Sequence, residues 1–350
     1  MSEQSMNAPR RAGGTLIAVS AAIIVTVLLL ALASPNPARA LTSFFWGPFS
    51  NRFFFGNMLD TFGLLILAGL GVCAAFRAGV FNLGGEGQVY IAALTAAMVA
   101  LSMPDAPAVV GIVLATAAAV VVAGILAGTS GLFRWIWGTD ELITSFLISA
   151  ALVPTVNYLI VGPLRNPESN LMTTVRVSEQ FRFLRLLPPS TLNVSLIAAI
   201  LLALLAHGFL FSTLRGYELR MTGLNREFAR YGGVAVGAYT VLPMAASGGF
   251  HGLAGAFFVL GTHHAAIEGF TAGLGWNGIA VALIGRNHPL LIIPAALVFA
   301  YLEAGARVAG LQTEFTFELA AIIQAVIFFL ITAEIVLPRL RLIRRKRSAP

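Results

Sequence analysis

Residues 77–91 gather the side chains best suited to hold a polar solute. They contain one carboxylate, Glu86, two carboxamides, Asn82 and Gln88, and four glycines, Gly79, Gly84, Gly85 and Gly87. Carboxylates and carboxamides offer acceptors and donors to hydroxyls and ring nitrogens. Glycine loosens a helix and leaves backbone groups free for a ligand. Two readings stand: a helix broken at membrane depth, or a short cytoplasmic turn between spans. Asn157, Trp276 and Asn277 are the further groups expected along a solute pathway, with His251, His263, His264 and Glu268 also in or near apolar runs. No buried arginine waits among them for a phosphate or carboxylate, so the set suits a neutral, hydroxyl-rich solute with a flat base. His263 and His264 are adjacent and point apart on a helix, so no metal is expected. Residues 273–278 fit G-x-G-x-x-G without a preceding strand, so a helix opening at the outer interface is expected there, not a dinucleotide site. No nucleophile-and-base pair stands out, which argues against an enzyme.

These groups sit in a chain that water cannot hold. Of its 350 residues 58% are hydrophobic and 11% charged, whereas soluble domains carry roughly a quarter charged residues. Continuous apolar runs of about 20 residues indicate helices rather than a barrel. The fold expected is an all-α integral membrane protein of about ten transmembrane helices. A broken or re-entrant helix is expected near 79–90 and another near 248–264. The charge of +7 fits cytoplasmic loops and a basic tail beside an anionic leaflet, so membrane lipid is a partner and nucleic acid is not. The lone Cys73 sets no disulfide framework. Lys346 is the only lysine, with no phosphate loop before it. The chain therefore carries no Walker A site, and any P-loop nucleotide chemistry must come from a partner.

A cytoplasmic N-terminal tail (1–14) precedes a first span at 15–33. An uncleaved span is preferred there to a signal peptide, since the run is too long for one. The phenylalanine cluster from Phe44 to Phe55 suggests an aromatic belt or surface helix. Further spans are expected at 57–76, 87–101, 108–128, 141–161 and 192–211, from about 234, and at 273–284, 290–303 and 317–337. The transmembrane body thus runs over 15–337, with an external loop at 162–189, a cytoplasmic loop at 212–233 and a basic tail at 338–350. With ten crossings and both termini inside, fifteen of the 22 Lys and Arg residues fall on inner segments. That bias follows the positive-inside rule.

The cytoplasmic loop reads as a handle. From Asn225 the pattern is helical: Asn225 as cap, Glu227 in the first turn, Phe228 and Tyr231 three apart, Arg230 late. Its aromatics would enter a partner's groove while its arginines find carboxylates. A solvated loop obeying the charge bias is the plainer reading.

Residues 81–88 closely resemble the F-N-[IL]-G-x-E-G-Q motif of permease subunits from bacterial ABC importers, in the branch that includes nucleoside and simple-sugar systems. Residues 219–233 look like that family's cytoplasmic loop, near L-R-x-x-G-x-N-P-x-A-A-x-Y-x-G-I. Arg226 stands where proline is usual and Phe228 where alanine is. Residues 138–143, G-T-D-E-L-I, resemble its G-x-N-E-V-I, with Asp140 for asparagine. The resemblance covers about 75–305. It implies a bacterial inner-membrane permease with three kinds of partner: an ATP-binding subunit, a second similar permease (heterodimer preferred to homodimer) and an extracytoplasmic substrate-binding protein. It implies no cofactor on this chain, ATP and Mg being held by the ATPase. Arg220, Gly223, Asn225, Glu227, Phe228, Arg230 and Tyr231 would couple to that ATPase. The expected solute is a nucleoside, with a simple pentose-like sugar as alternative. A proton-coupled secondary transporter using Glu86 is the competing class.

Overall fold

The computed structural model describes residues 36–312, with isolated positions 24, 27, 28, 322 and 325. The spans expected at 15–33 and 317–337 and both tails lie outside the described residues. The chain divides into two compact units, residues 1–58 with 301–350, and residues 59–300.

In the first unit, α1 (Pro37–Phe45) is a short helix capped by Asn36, whose side chain accepts from Arg39 N at 3.2 Å. It buries Ala40 and Phe44. The Tyr301 hydroxyl donates to Phe45 O at 3.0 Å, and its ring lies 5.8 Å from that of Phe49. The phenylalanine cluster from Phe44 to Phe55 is distributed over α1, the 3-10 turn Gly47–Phe49 and the start of the helix that begins at Arg52.

Among the described residues the regular elements are helices, with two isolated β-bridges and no strand. Six helices among the described residues are long and apolar enough to cross a membrane. These are α2 (Arg52–Arg77), α4 (Ala108–Trp137), α5 (Glu141–Val161), α6 (Ser195–Ser212), α9 (Ala238–Phe257, continued by a π-turn, Phe258–His263) and α11 (Pro289–Gln312). Between them lie α3 (Gly85–Ser102), α7 (Leu214–Leu224), α8 (Arg226–Tyr231) and α10 (Leu274–Ile284). α3 is less apolar because its first turn holds Glu86 and Gln88.

The core of the second unit is a close pairing of α4 with α9. α4 buries Ala115, Ala119, Ala123 and Ala127 at four-residue spacing, a flat face of small side chains. α9 meets it with glycine: a Cβ on Gly248 would lie 2.2 Å from Ala123 O, and one on Gly252 2.7 Å from Ala119 O. The break expected from 248 is therefore corrected. α9 runs unbroken to Phe257, because its glycines face a neighbouring backbone that holds them helical, and the irregularity begins only at the π-turn.

Contacts define two ends of this unit. At one end Gly223 meets the Arg77 carbonyl, and Asn287 O accepts from Arg77 Nε. At the other, Gln180 reaches Pro104 O, Phe183 N donates to Leu260 O at 2.9 Å, and Thr174 N to Ala266 O at 2.9 Å. At that second end His264 lies beside Arg185, Nη2 to Nε2 3.4 Å. Burial and then the Arg182 and Arg185 charges push its pKa down to about 4, so it is neutral at pH 7.

The chain returns from the second end to the first over residues 264–287. The first ten residues are irregular, and α10 supplies the rest. Its 11 residues rise about 16 Å, half of a bilayer core of about 30 Å. The expected span at 273–284 is thus half a helix. It opens beside Ala68 and Glu86, not at an outer interface, because Gly275 and Gly278 press against Glu86 N (2.2 Å from a Cβ) and the Ala68 side chain (2.8 Å).

Candidate functional site

α2 ends where Gly79, at φ +69°, turns the chain away. Residues 80–84 are irregular, and α3 starts at Gly85. A non-helical backbone inside a bundle needs partners for its N–H groups, and α5 provides them from one face. Glu141, Ser145 and Ser149 recur every four residues. Glu141 Oε1 accepts from Phe81 N (3.1 Å), Ser145 Oγ from Leu83 N (3.0 Å) and Ser149 Oγ from Gly87 N (2.8 Å). The other carboxylate oxygen of Glu141 pairs with Arg134. Asp140 caps α5 by accepting from Leu142 N at 2.8 Å. Replacing Ser145 or Ser149 by alanine should cost about 1–3 kcal/mol each, since a buried N–H loses its acceptor. Denaturant unfolding in detergent checks this, and an unchanged midpoint would contradict the ladder.

Asn82 and Gln88 face each other as a reciprocal amide pair. Asn82 Nδ2 donates to Gln88 Oε1 (2.9 Å) and Gln88 Nε2 to Asn82 Oδ1 (3.0 Å). Asn82 also donates to Ser247 Oγ (2.9 Å) and accepts from Gly84 N (2.8 Å). His251 Nδ1 lies 2.8 Å from Gln88 Oε1. That oxygen can only accept, so the imidazole carries its proton on Nδ1. Asn82 is 1% and Gln88 2% exposed. Gly71 and Gly85 lie against the ring of His251. Gly71 is six residues from the end of α2, so the pair lies about 9 Å inside the bundle.

Glu86 points elsewhere. Half-buried, it accepts from the Thr271 hydroxyl and, at 2.8 Å, from Gly275 N in the first turn of α10. A carboxylate there complements the helix dipole and satisfies an orphan N–H. Trp276, 43% exposed, follows directly, with its ring 6.1 Å from that of Phe146 on α5. The Tyr90 side chain lies near those of Thr271 and Asn157, and its ring lies 4.8 Å from that of Phe270. Glu86, Asn157 and Trp276 thus share one region of α3, α5 and α10. Asn277 is half-buried on the same half-helix, and Asn82 and Gln88 lie behind, closed off. Ser145, Ser149, Ser247 and Thr271 were not singled out by sequence, whereas His251 stood in its polar inventory. The polar residues at i, i+4 and i+8 of α5, in an otherwise apolar helix, are the signal that could have found two of them.

At the first end, Thr213 caps α7 and Asn225 caps α8, accepting from Gly216 N and Phe228 N, both at 3.0 Å. Arg226 takes the first position of α8, where the resembled family carries proline, a residue suited to N1. Its guanidinium turns inward to Thr240 Oγ1 (3.4 Å), and burial followed by Arg134 lowers its pKa. Phe228 is 61% and Tyr231 90% exposed, and Glu227 pairs with Arg230 at 3.3 Å. Arg220 instead lies over the Phe211 ring, 4.9 Å from its centroid. Gly223 touches backbone: a Cβ there would lie 2.2 Å from Arg77 O. Handle and polar stretch are therefore in direct contact. Among the described residues no three His, Cys, Asp or Glu side chains gather as a metal site.

Comparison with known proteins agrees in scope. Residues 54–332 match the family described as branched-chain amino acid transport system / permease component. The chain is 34% identical over 325 residues to a "probable riboflavin import permease protein" of Treponema pallidum, covering 93% of this chain and 86% of that one. It is 29% identical over 322 residues to a guanosine ABC transporter permease protein of Bacillus subtilis, covering 91% and 92%. It is 29% identical over 337 residues to a glucose ABC transporter permease protein of Haloferax volcanii, covering 92% and 87%. A helical bundle whose exposed handle abuts a buried polar break, matched along most of its length, belongs to the permease-component family of ABC transporters: it is a transport subunit, not an enzyme.

Proposed function

We propose that this chain forms half of the translocation path of an ATP-driven, binding-protein-dependent importer in a bacterial inner membrane, and that its solute joins a flat heterocycle to a hydroxyl-rich chain. Nucleosides are the first choice. The guanosine permease relative supports that class, and the riboflavin relative carries the same two chemical parts. The glucose relative keeps a simple sugar as second reading. ATP and Mg sit on a partner ATPase, a second permease, preferably a different chain, completes the path, and an external binding protein delivers the solute. Adding spans at 15–33 and 317–337 to the eight passages between residues 52 and 312 gives ten crossings, with both termini cytoplasmic.

One observation carries the mechanism. Gly223 of the handle rests on the Arg77 carbonyl, at the entrance to the polar stretch. ATP-driven movement of a partner gripping Phe228 and Tyr231 would push α7 against the end of α2 and shift residues 78–88 over the α5 ladder. Glu86 would pass that shift to α10, on which Trp276 and Asn277 face the solute with Asn157 opposite. Asn82 and Gln88 act from behind, as the fixed pivot of the break. A proton-coupled carrier is disfavoured because both Glu86 oxygens already accept hydrogen bonds.

Uptake into proteoliposomes holding the full assembly and its binding protein tests the reading with guanosine, riboflavin and glucose. Uptake requiring ATP, and highest for a ring-bearing solute, is expected. Gradient-driven uptake by this chain alone would overturn it. Glu86→Gln keeps the shape but weakens the bonds to Thr271 and Gly275. It should slow uptake about tenfold, the loss of roughly 1.5 kcal/mol from charged hydrogen bonds, without changing solute affinity of the binding protein.

A further inference from the structure

Beside the handle, outside the site above, four basic side chains crowd one ring. Arg77 and Arg220 lie 5.5 and 4.9 Å from the Phe211 centroid. His288 stacks on the same ring at 4.9 Å, and His207 lies 5.1 Å from His288. Among the described residues neither arginine is ion-paired. The nearest acid in sequence, Glu218, accepts instead from the Tyr239 hydroxyl and lies two residues from Arg220, on a different side of α7. Buried His207 Nδ1 and His288 Nδ1 have no partner. Burial, with the neighbouring His207 and Arg77 after it, lowers the His288 pKa.

The same elements enclose an apolar crevice. It is lined by Leu70, Cys73 and Ala74 of α2, Ala206 and Leu210 of α6, and Phe250 of α9, among others. On α2 the residues Leu70, Cys73, Ala74 and Arg77 follow i, i+3, i+4, i+7, one helical face that passes from apolar to cationic. On α6 and α7 the sequence makes the same step, from Leu210 to Phe211 and from Leu219 to Arg220. His288 adjoins Pro289, which also lines the crevice.

We propose that this is a binding site for an anionic phospholipid, its phosphate among Arg77, Arg220, His207 and His288 and one acyl chain in the crevice. An apolar slot at hydrocarbon depth, opening onto unpaired cations at the inner end, is complementary to such a lipid and to neither a free anion nor a neutral lipid. Arg220 lies in the helix that leads to α8, so the headgroup would brace the handle.

The full chain in nanodiscs of mixed phosphatidylglycerol and phosphatidylcholine, examined by native mass spectrometry, tests this. Retention of phosphatidylglycerol over phosphatidylcholine is expected. Arg77→Gln with Arg220→Gln should cut that retention at least tenfold, and Arg77→Lys with Arg220→Lys should restore most of it. Ala206→Trp fills the crevice without touching a charge and should also abolish retention. Equal retention of both lipids, no retained lipid in the unmodified chain, or displacement by millimolar inorganic phosphate would each overturn the site. Indifference to Ala206→Trp would overturn it too. None of these readouts requires an ATPase or a solute.

Discussion

Replacing Phe228 and Tyr231 together by alanine should reduce solute uptake to below about one-tenth while the purified chain unfolds at an unchanged temperature. Both side chains are largely exposed, so removing them takes little from this chain's own packing. The backbone that presents them is held independently, by Asn225 capping α8 and by Gly223 against Arg77. Aromatic anchors at an interface are commonly worth about 2 kcal/mol or more each, and about 1.4 kcal/mol corresponds to a factor of ten in affinity. ATPase turnover measured beside uptake would show hydrolysis continuing without transport. Undiminished uptake would mean that the handle grips nothing.

Gly248→Leu should prevent the bundle from assembling, whatever its partners. A Cβ at Gly248 meets the Ala123 carbonyl and the Ala127 methyl at 2.2 and 2.6 Å. The first obstacle is backbone, so no rotamer change relieves it, and α9 must leave α4. Overpacking in a relaxable core costs about 1–3 kcal/mol. Here the cost should exceed that range and appear as aggregated protein on size exclusion. Gly249→Ala is the internal control. Its nearest neighbour is Val120 Cγ1 at 3.5 Å, an ordinary contact, so it should behave as the unmodified chain does. Equal monodispersity of the two variants would refute the α4–α9 packing.

These two sites also show how differently the chain's parts can be read. The handle is local: a cap, an acid early, a base late and two aromatics three apart lie within seven residues, so helix chemistry alone places them. Membrane residence was equally legible, since a chain with 11% charged residues has too little polar surface for water. Composition also shows that α4 is rich in alanine, valine and glycine. It could not say that the glycines of α9 would meet that helix, and near 248 they looked like a break.

The polar stretch marks the limit. Asn82, Glu86 and Gln88 lie within seven residues and read as one constellation, yet the fold sends them two ways. The non-helical backbone at 80–84 turns Asn82 and Gln88 into the closed pocket with Ser247 and His251, while Glu86 leaves the first turn of α3 toward α10. Amino-acid types and spacing determined on their own that this is a helical membrane protein with a short capped helix at 225–231, and left residues 77–91 as either a broken helix or a turn between spans. Which polar groups are locked and which remain available was decided only by packing. Hydrogen-bond acceptors for buried N–H groups come from helices 60 residues and more away, and no local pattern encodes a partner at that distance.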